Sequence, residues 1–188
     1  MESFISNHIE TFTKATNSTC VTNQSGQIIP LIDGIKSSVE LIEGAGNNGN
    51  TIYLIGNGGS ASICSHMAVD FWKSAGIKAL AFSDPSLLTC ISNDYGYSQV
   101  FQKPLEMFIA KNDVLIAISS SGKSENILNG VKAAQKCGAL VISMSGFADN
   151  NPLSSLGDIN FFVPFSHYGI VEVTHALLCH TILDTINR

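Results

Sequence analysis

Charge is scarce in this chain. Only 13% of its 188 residues are Asp, Glu, Lys or Arg, and 10 basic against 15 acidic side chains leave a formal charge of −5. There is no basic run and no stripe of basic and aromatic residues, so the electrostatic footprint of a nonspecific nucleic-acid binder is missing and such partners are not expected. Paired cysteines are lacking as well. Cys20, Cys64, Cys90, Cys137 and Cys179 are odd in number, scattered and never in a CxxC pair, which fits reduced thiols used as small apolar residues and a cytoplasmic location. No signal-peptide pattern opens the chain and no apolar run approaches about 20 residues, so neither export nor membrane spanning is expected. Two nucleotide fingerprints fail. A GxGxxG motif starting at Gly56 would need glycine at position 61, which is Ala61, and Ser121-Gly122-Lys123-Ser124 has no glycine five residues before Gly122.

What is present centres on Tyr53-Leu54-Ile55-Gly56-Asn57-Gly58-Gly59-Ser60, where an apolar run breaks into glycines and enters a helical pattern carrying His66 and Asp70. This reads as strand, tight turn and helix. Gly56, Gly58 and Gly59 permit angles and close approaches that a Cβ forbids, and the helix start offers unpaired amides and the positive end of its dipole to an anion. The same logic recurs where Val114-Leu115-Ile116-Ala117-Ile118 runs into Ser119-Ser120-Ser121-Gly122-Lys123-Ser124. Either loop alone is as readily a plain strand–helix connection. Two of them, each at the carboxyl end of a buried strand, point to a phosphorylated ligand.

The chain is long enough for one domain, and 45% hydrophobic residues suit an α/β fold that buries both faces of its sheet. Low charge also predicts that part of the surface is covered in an oligomer. A helical stripe over residues 1–15 is broken by a polar stretch from Thr16 to Gln27, and a second stripe runs from Ile28 to Ala45; both helices are expected to pack against other subunits. Further on, strands are predicted at 78–82, 113–118, 139–145 and 159–163. Helices are predicted at 84–93, 98–110, 124–137 and 167–186, with a turn at Asn93-Asp94-Tyr95-Gly96 and one helical turn at 152–156. Alternation of this kind defines a parallel sheet covered on both faces.

His66 and Asp70 stand at i and i+4, so they share a helix face and can converge on one metal ion or proton; a surface ion pair is the plainer reading. Glu172 and His180 are eight residues apart, a rise of roughly 12 Å on a straight helix. Either one of them comes from a neighbouring subunit or Glu172 pairs with His175 instead.

Taken together, Gly56-Asn57-Gly58-Gly59-Ser60, His66 with an acid at 70, Ser92-Asn93-Asp94-Tyr95-Gly96, Ile118 to Ser124, and Glu172 eight positions before His180 resemble the SIS-domain sugar-phosphate isomerases, in particular the phosphoheptose isomerase branch. The resemblance spans residues 29–188, after an N-terminal helix and connector at 1–28. It implies a three-layer αβα sandwich with a five-stranded parallel sheet, a homotetramer built on its N-terminal helices, and sites at subunit boundaries. By position, Asn57, Gly58, Gly59 and Ser60 fall on the substrate loop, and Asn93 and Asp94 on sugar contacts. Ser119, Ser120, Ser121 and Ser124 match the phosphate cradle. His66, Asp70, Glu172 and His180 match zinc ligands, with Asp70 and His180 also the acid/base pair and Glu172 also facing substrate. The chain departs from the family pattern in having Asp70 for glutamate, Glu172 for glutamine and Ser74 for arginine, and Tyr168 to Val171 lacks an acidic–basic pair. The implied reaction is an aldose–ketose isomerisation through an ene-diol, on sedoheptulose 7-phosphate in the making of heptose-containing surface polysaccharide. A noncatalytic sugar-phosphate adaptor, like the branch that binds a replication initiator, is the alternative from another class; an etherase-like activity on an amino-sugar phosphate is a third.

Overall fold

The structure, a computed structural model, describes residues 1–188. Its helices are α1 (Glu2–Asn17), α2 (Leu31–Asn47), α3 (Gly59–Ser74), α4 (Pro85–Tyr95), α5 (Gln102–Phe108), α6 (Glu125–Lys136) and α7 (Tyr168–Ile186). Its strands are β1 (Cys20–Asn23), β2 (Ile28–Ile29), β3 (Ile52–Gly56), β4 (Ala79–Ala81), β5 (Val114–Ser119), β6 (Leu140–Gly146) and β7 (Ile159–Val163). They form one sheet in the order β2-β1-β7-β6-β5-β3-β4.

Five of these strands, β7-β6-β5-β3-β4, are parallel, as the sequence predicts. Side chains alternate across a strand, so even positions (Ile52, Leu54, Val114, Ile116, Ile118, Ile142, Met144) meet α2, α3 and α7 on one face. Odd positions (Tyr53, Ile55, Leu115, Ala117, Val141) meet α5 and α6 on the other. This double burial explains why β3 and β5 read as unbroken apolar runs.

The sheet has two strands more than expected. The stretch read as a polar break holds β1, which pairs antiparallel with β7, and Ile28-Ile29 is β2 rather than the start of a helix. Asn23 closes the hairpin: its Oδ1 accepts from the Ser25 and Gln27 amides at 3.1 and 3.0 Å. Only Val21 of β1 is buried, so no alternation was there to read. Helix α2 then begins at Leu31, after Pro30.

Helix α2 turns part of its apolar stripe inward, with Val39, Ile42 and Ala45 in the core of this chain, and leaves Ile32 exposed. Helix α1 docks its second half, with Ala15 and Phe12 against Val163, Ile170 and Val171 and His8 edge-on to His167 at 6.1 Å, and leaves Phe4, Ile5 and Ile9 exposed. The predicted turn at 93–96 is instead the last turn of α4, ended by Gly96 at φ 87°. The predicted helix at 98–110 is split into a 3₁₀ turn (Tyr97–Gln99) and α5. One apolar segment does reach membrane-spanning length and composition, contrary to expectation: the 19-residue α7. It serves as the central core helix, with Leu178, Cys179, Ile182 and Leu183 packed against α2, α3 and the sheet.

His175 lies fully buried on α7, with Nε2 3.1 Å from the Ser145 carbonyl and Nδ1 without a partner. The ring therefore donates from Nε2 and is neutral; burial pushes its pKa down to about 4, against a smaller upward effect of the Ser145 bond. The unfolded chain binds this proton below about pH 6.5 while the folded chain refuses it until about pH 4, so stability is full above that window and falls on acidification through it. The expected loss is on the order of 3 kcal/mol between pH 6.5 and 4. In chemical denaturation across that range, His175→Gln should flatten the slope relative to wild type.

Candidate functional site

The two sequence-predicted loops meet at the carboxyl ends of β3 and β5. At the first, Gly58 caps α3 with φ 56° and ψ −123°, a conformation open to glycine, and a Cβ at Gly56 would stand 2.7 Å from the Ser60 carbonyl. The close return of the chain over Gly56 brings the first amides of α3 to the sheet edge. At the second, Ser119 and Ser120 are buried, the Ser119 and Ser124 hydroxyls are 3.4 Å apart, and the Lys123 amide donates to Ser121 Oγ at 3.3 Å. Gly122, at φ 63°, lies hard against the Asn151 side chain.

Between the loops is a cavity of about 250 Å³. Asn57, Gly58 and Ser60 line one side, Ser119, Ser120, Ser121 and Ser124 the other, and Tyr168 and Glu172 of α7 the third. The N-termini of α3, α6 and α7 all reach it. No Lys or Arg lines it and Glu172 does, so what it could offer an anion is hydroxyls, backbone amides and the positive ends of helix dipoles. Ser120 Oγ is buried without a hydrogen-bond partner, a state that costs about 1–3 kcal/mol unless a ligand oxygen meets it.

A second group lies farther along the same helix pair. His66 and Asp70 of α3 and His180 of α7 place their ligand atoms within 4.8 Å of one another. His66 Nε2 is 3.2 Å from Asp70 Oδ2, and the two imidazoles meet edge to face at 5.5 Å. A small groove lined by Ser62, Ile63, Met67 and Ala176 leads to the histidines.

Most of the predicted site residues thus fall into two neighbouring clusters. Glu172 is not in the histidine group. It faces the glycine loop, where a Cβ on Gly59 would sit 2.6 Å from its carboxyl carbon, so Gly59 is the residue that makes room for it. Nor does it pair with His175, whose bond goes to Ser145. Asn93 and Asp94 stand outside the cavity on the exposed end of α4, where Asn93 Nδ2 donates to Asp94 Oδ1 at 2.9 Å. Tyr168, Tyr97, Asn126 and Asn151 belong to the surroundings of the site and carry no local sequence signal, because each acts on a loop distant in the chain.

Residues 21–146 match the family described as SIS domain. The chain belongs to the SIS-domain family. A phosphoheptose isomerase of Aliarcobacter butzleri is 38% identical over 165 residues, covering 85% of each chain. One of Helicobacter pylori is 39% identical over 154 residues, covering 79% of each. The solved phosphoheptose isomerase of Neisseria gonorrhoeae superposes with a TM-score of 0.86 at 29% identity, covering 98% of both chains. This SIS domain therefore shares its fold and length with isomerases of that branch, and the five parallel strands and both loops lie in the shared part.

The backbone of the glycine loop takes a conformation that disfavours any other residue, and the cost of adding a Cβ is measurable. Gly58 has nothing within 4 Å of an added Cβ, so Gly58→Ala tests backbone conformation alone and should lower the unfolding free energy in urea by about 1–3 kcal/mol. Gly44→Ala, on an open helical face of α2, should raise it by about 0.5–1 kcal/mol.

Proposed function

We propose that this SIS domain is an aldose–ketose isomerase of a phosphorylated sugar, with sedoheptulose 7-phosphate and D-glycero-D-manno-heptose 7-phosphate as the pair it interconverts. The observation that carries this reading is a serine-lined cavity at the starts of α3, α6 and α7 together with a group of two imidazoles and a carboxylate farther along α3 and α7. A binding module needs the first; only proton transfer or metal ligation needs the second. The relatives named phosphoheptose isomerase supply the substrate class.

The phosphate sits among Ser119, Ser120, Ser121 and Ser124, where Ser120 Oγ gains its missing partner and the α6 amides face the charge. Anchored there, the sugar presents C1 and C2 to the acid/base pair, which lowers the entropic part of the barrier. Asp70 takes the proton from C1 and returns it at C2; His180 moves the other proton between O1 and O2. The donor set of His66, Asp70 and His180 suits zinc, and these residues would hold it. A bound zinc would supply a Lewis acid for the oxyanion of the ene-diol.

Glu172 completes the ligand set across a subunit boundary in this reading, since within one chain it faces the glycine loop. Asn93 and Asp94 contact sugar in the same way, from a closed or neighbouring arrangement. A homotetramer is supported by the exposed Phe4, Ile5 and Ile9 of α1, and by Val173 and Leu177, which flank His180 on α7 and are also exposed. The enzyme works in the cytoplasm, ahead of the assembly of heptose-containing surface polysaccharide.

Deuterium exchange at C1 is the decisive measurement. His180→Gln should abolish it while phosphate affinity persists, and Asp70→Asn should do likewise and lower zinc content. Ser121→Ala should weaken sugar-phosphate binding in calorimetry by about 1–3 kcal/mol. If zinc-loaded wild type binds ketose phosphates without any exchange, the adaptor reading takes the place of the enzyme. A monomer in light scattering at micromolar concentration would remove the tetramer.

A further inference from the structure

The two loops of the cavity are joined by a bond between side chains 69 residues apart. Asn57 Nδ2 donates to Asn126 Oδ1 at 2.9 Å, and Asn126 Nδ2 donates back to Asn57 Oδ1 at 2.9 Å. Asn126 is 3% exposed, in the first turn of α6, just beyond the serine loop. Its orientation is set by chemistry. The Ile127 backbone amide, which can only donate, lies 3.0 Å from Asn126 Oδ1, so that atom is the carbonyl oxygen and the amide nitrogen is the one turned to Asn57 Oδ1. Tyr97 adds a third bond, its hydroxyl donating to the same Asn57 Oδ1 at 2.9 Å.

Asn57 has two acceptor lone pairs and two N–H donors. Both lone pairs are taken, by Asn126 and Tyr97, and one N–H is taken by Asn126. One N–H remains, on a side chain that lines the cavity. From this we infer that Tyr97 and Asn126 are positioning residues that make Asn57 a donor, and only a donor, toward the bound sugar. Asn57 then meets only an acceptor oxygen of the sugar, and its bond strengthens where negative charge develops on that oxygen. Released from the pair, the amide turns freely and offers its oxygen as readily as its nitrogen. Tyr97 follows Gly96 directly, so the same bond ties the end of α4, with Asn93 and Asp94, to the glycine loop. This inference rests on the isomerase reading for the identity of the ligand, but the bonding pattern stands without it.

Tyr97→Phe is the informative variant because the ring is exposed and only one hydroxyl is lost. Its Tm and its affinity for inorganic phosphate, which the serine loop holds, should equal those of wild type. Its kcat on sedoheptulose 7-phosphate should fall by about 3- to 10-fold, the effect of one lost hydrogen bond, with KM changed less. In an Asn57→Ala background the same substitution should do nothing further, and Asn126→Ala should behave alike, since both act through Asn57. Equal losses with and without Asn57 would show Tyr97 touching substrate itself and overturn the inference. So would no loss in either background, or a parallel loss of phosphate affinity and Tm. Run on sugar-phosphate dissociation constants as well as on kcat, the cycle reads Tyr97 even if wild type shows no exchange, so failure of the isomerase reading is told apart from failure of this one.

Discussion

Gly56 allows β3 to end in a helix without a gap. The Ser60 backbone lies 2.7 Å from where a Cβ would stand, so the first turn of α3 rests directly on the last residue of the strand. That contact fixes both the origin and the roll of α3. Its inner face then carries Cys64, Met67, Ala68 and Phe71 into the core, and by the 3.6-residue period His66 and Asp70 come up on the edge that faces α7. A larger residue at 56 would lift the helix start and carry the amides, the glycine loop and the histidine group away from their partners together.

Helix α7 is the second half of the same arrangement. It is apolar enough to be buried along much of its length, and it is pinned at both ends of the site: Glu172 beside the glycine loop, His180 beside His66. Between them His175 is locked to the Ser145 carbonyl of β6, a neutral polar anchor in an otherwise apolar seam. The site therefore runs from the loops at the ends of β3 and β5 to the seam between α3 and α7. The serine-lined end of it carries no cationic side chain.

Much of this was legible in the chain. Buried parallel strands reveal themselves as continuous apolar runs, and glycine or serine clusters just after them mark turns whose backbone must approach a neighbour or an anion. All five parallel strands and both loops follow from that. The β1–β2 hairpin does not, because a four-residue strand with one buried side chain has no period to detect, and its closure depends on a side chain, Asn23, bonding to the backbone around it. The end of α4 is hidden in the sequence for a related reason: Asn and Gly favour turns locally, but the helix carries Asn93 and Asp94 before Gly96 stops it.

Sequence alone determined the layers, the two glycine- and serine-rich turns and the pairing of His66 with Asp70, since all of these are set by spacing within about a dozen residues. Tertiary structure decided which of the distant groups meet. Glu172 and His180 sit on one helix, yet a rise of roughly 12 Å sends the first to the glycine loop and the second to His66. Asn57 and Asn126 are separated by 69 residues, and nothing in either neighbourhood specifies the other; they are brought together because β3 and β5 are adjacent in the sheet and each is followed by a helix that starts at the same edge. Long-range pairing of that kind is a property of strand order, and strand order is written in the packing of the whole chain rather than in any segment of it.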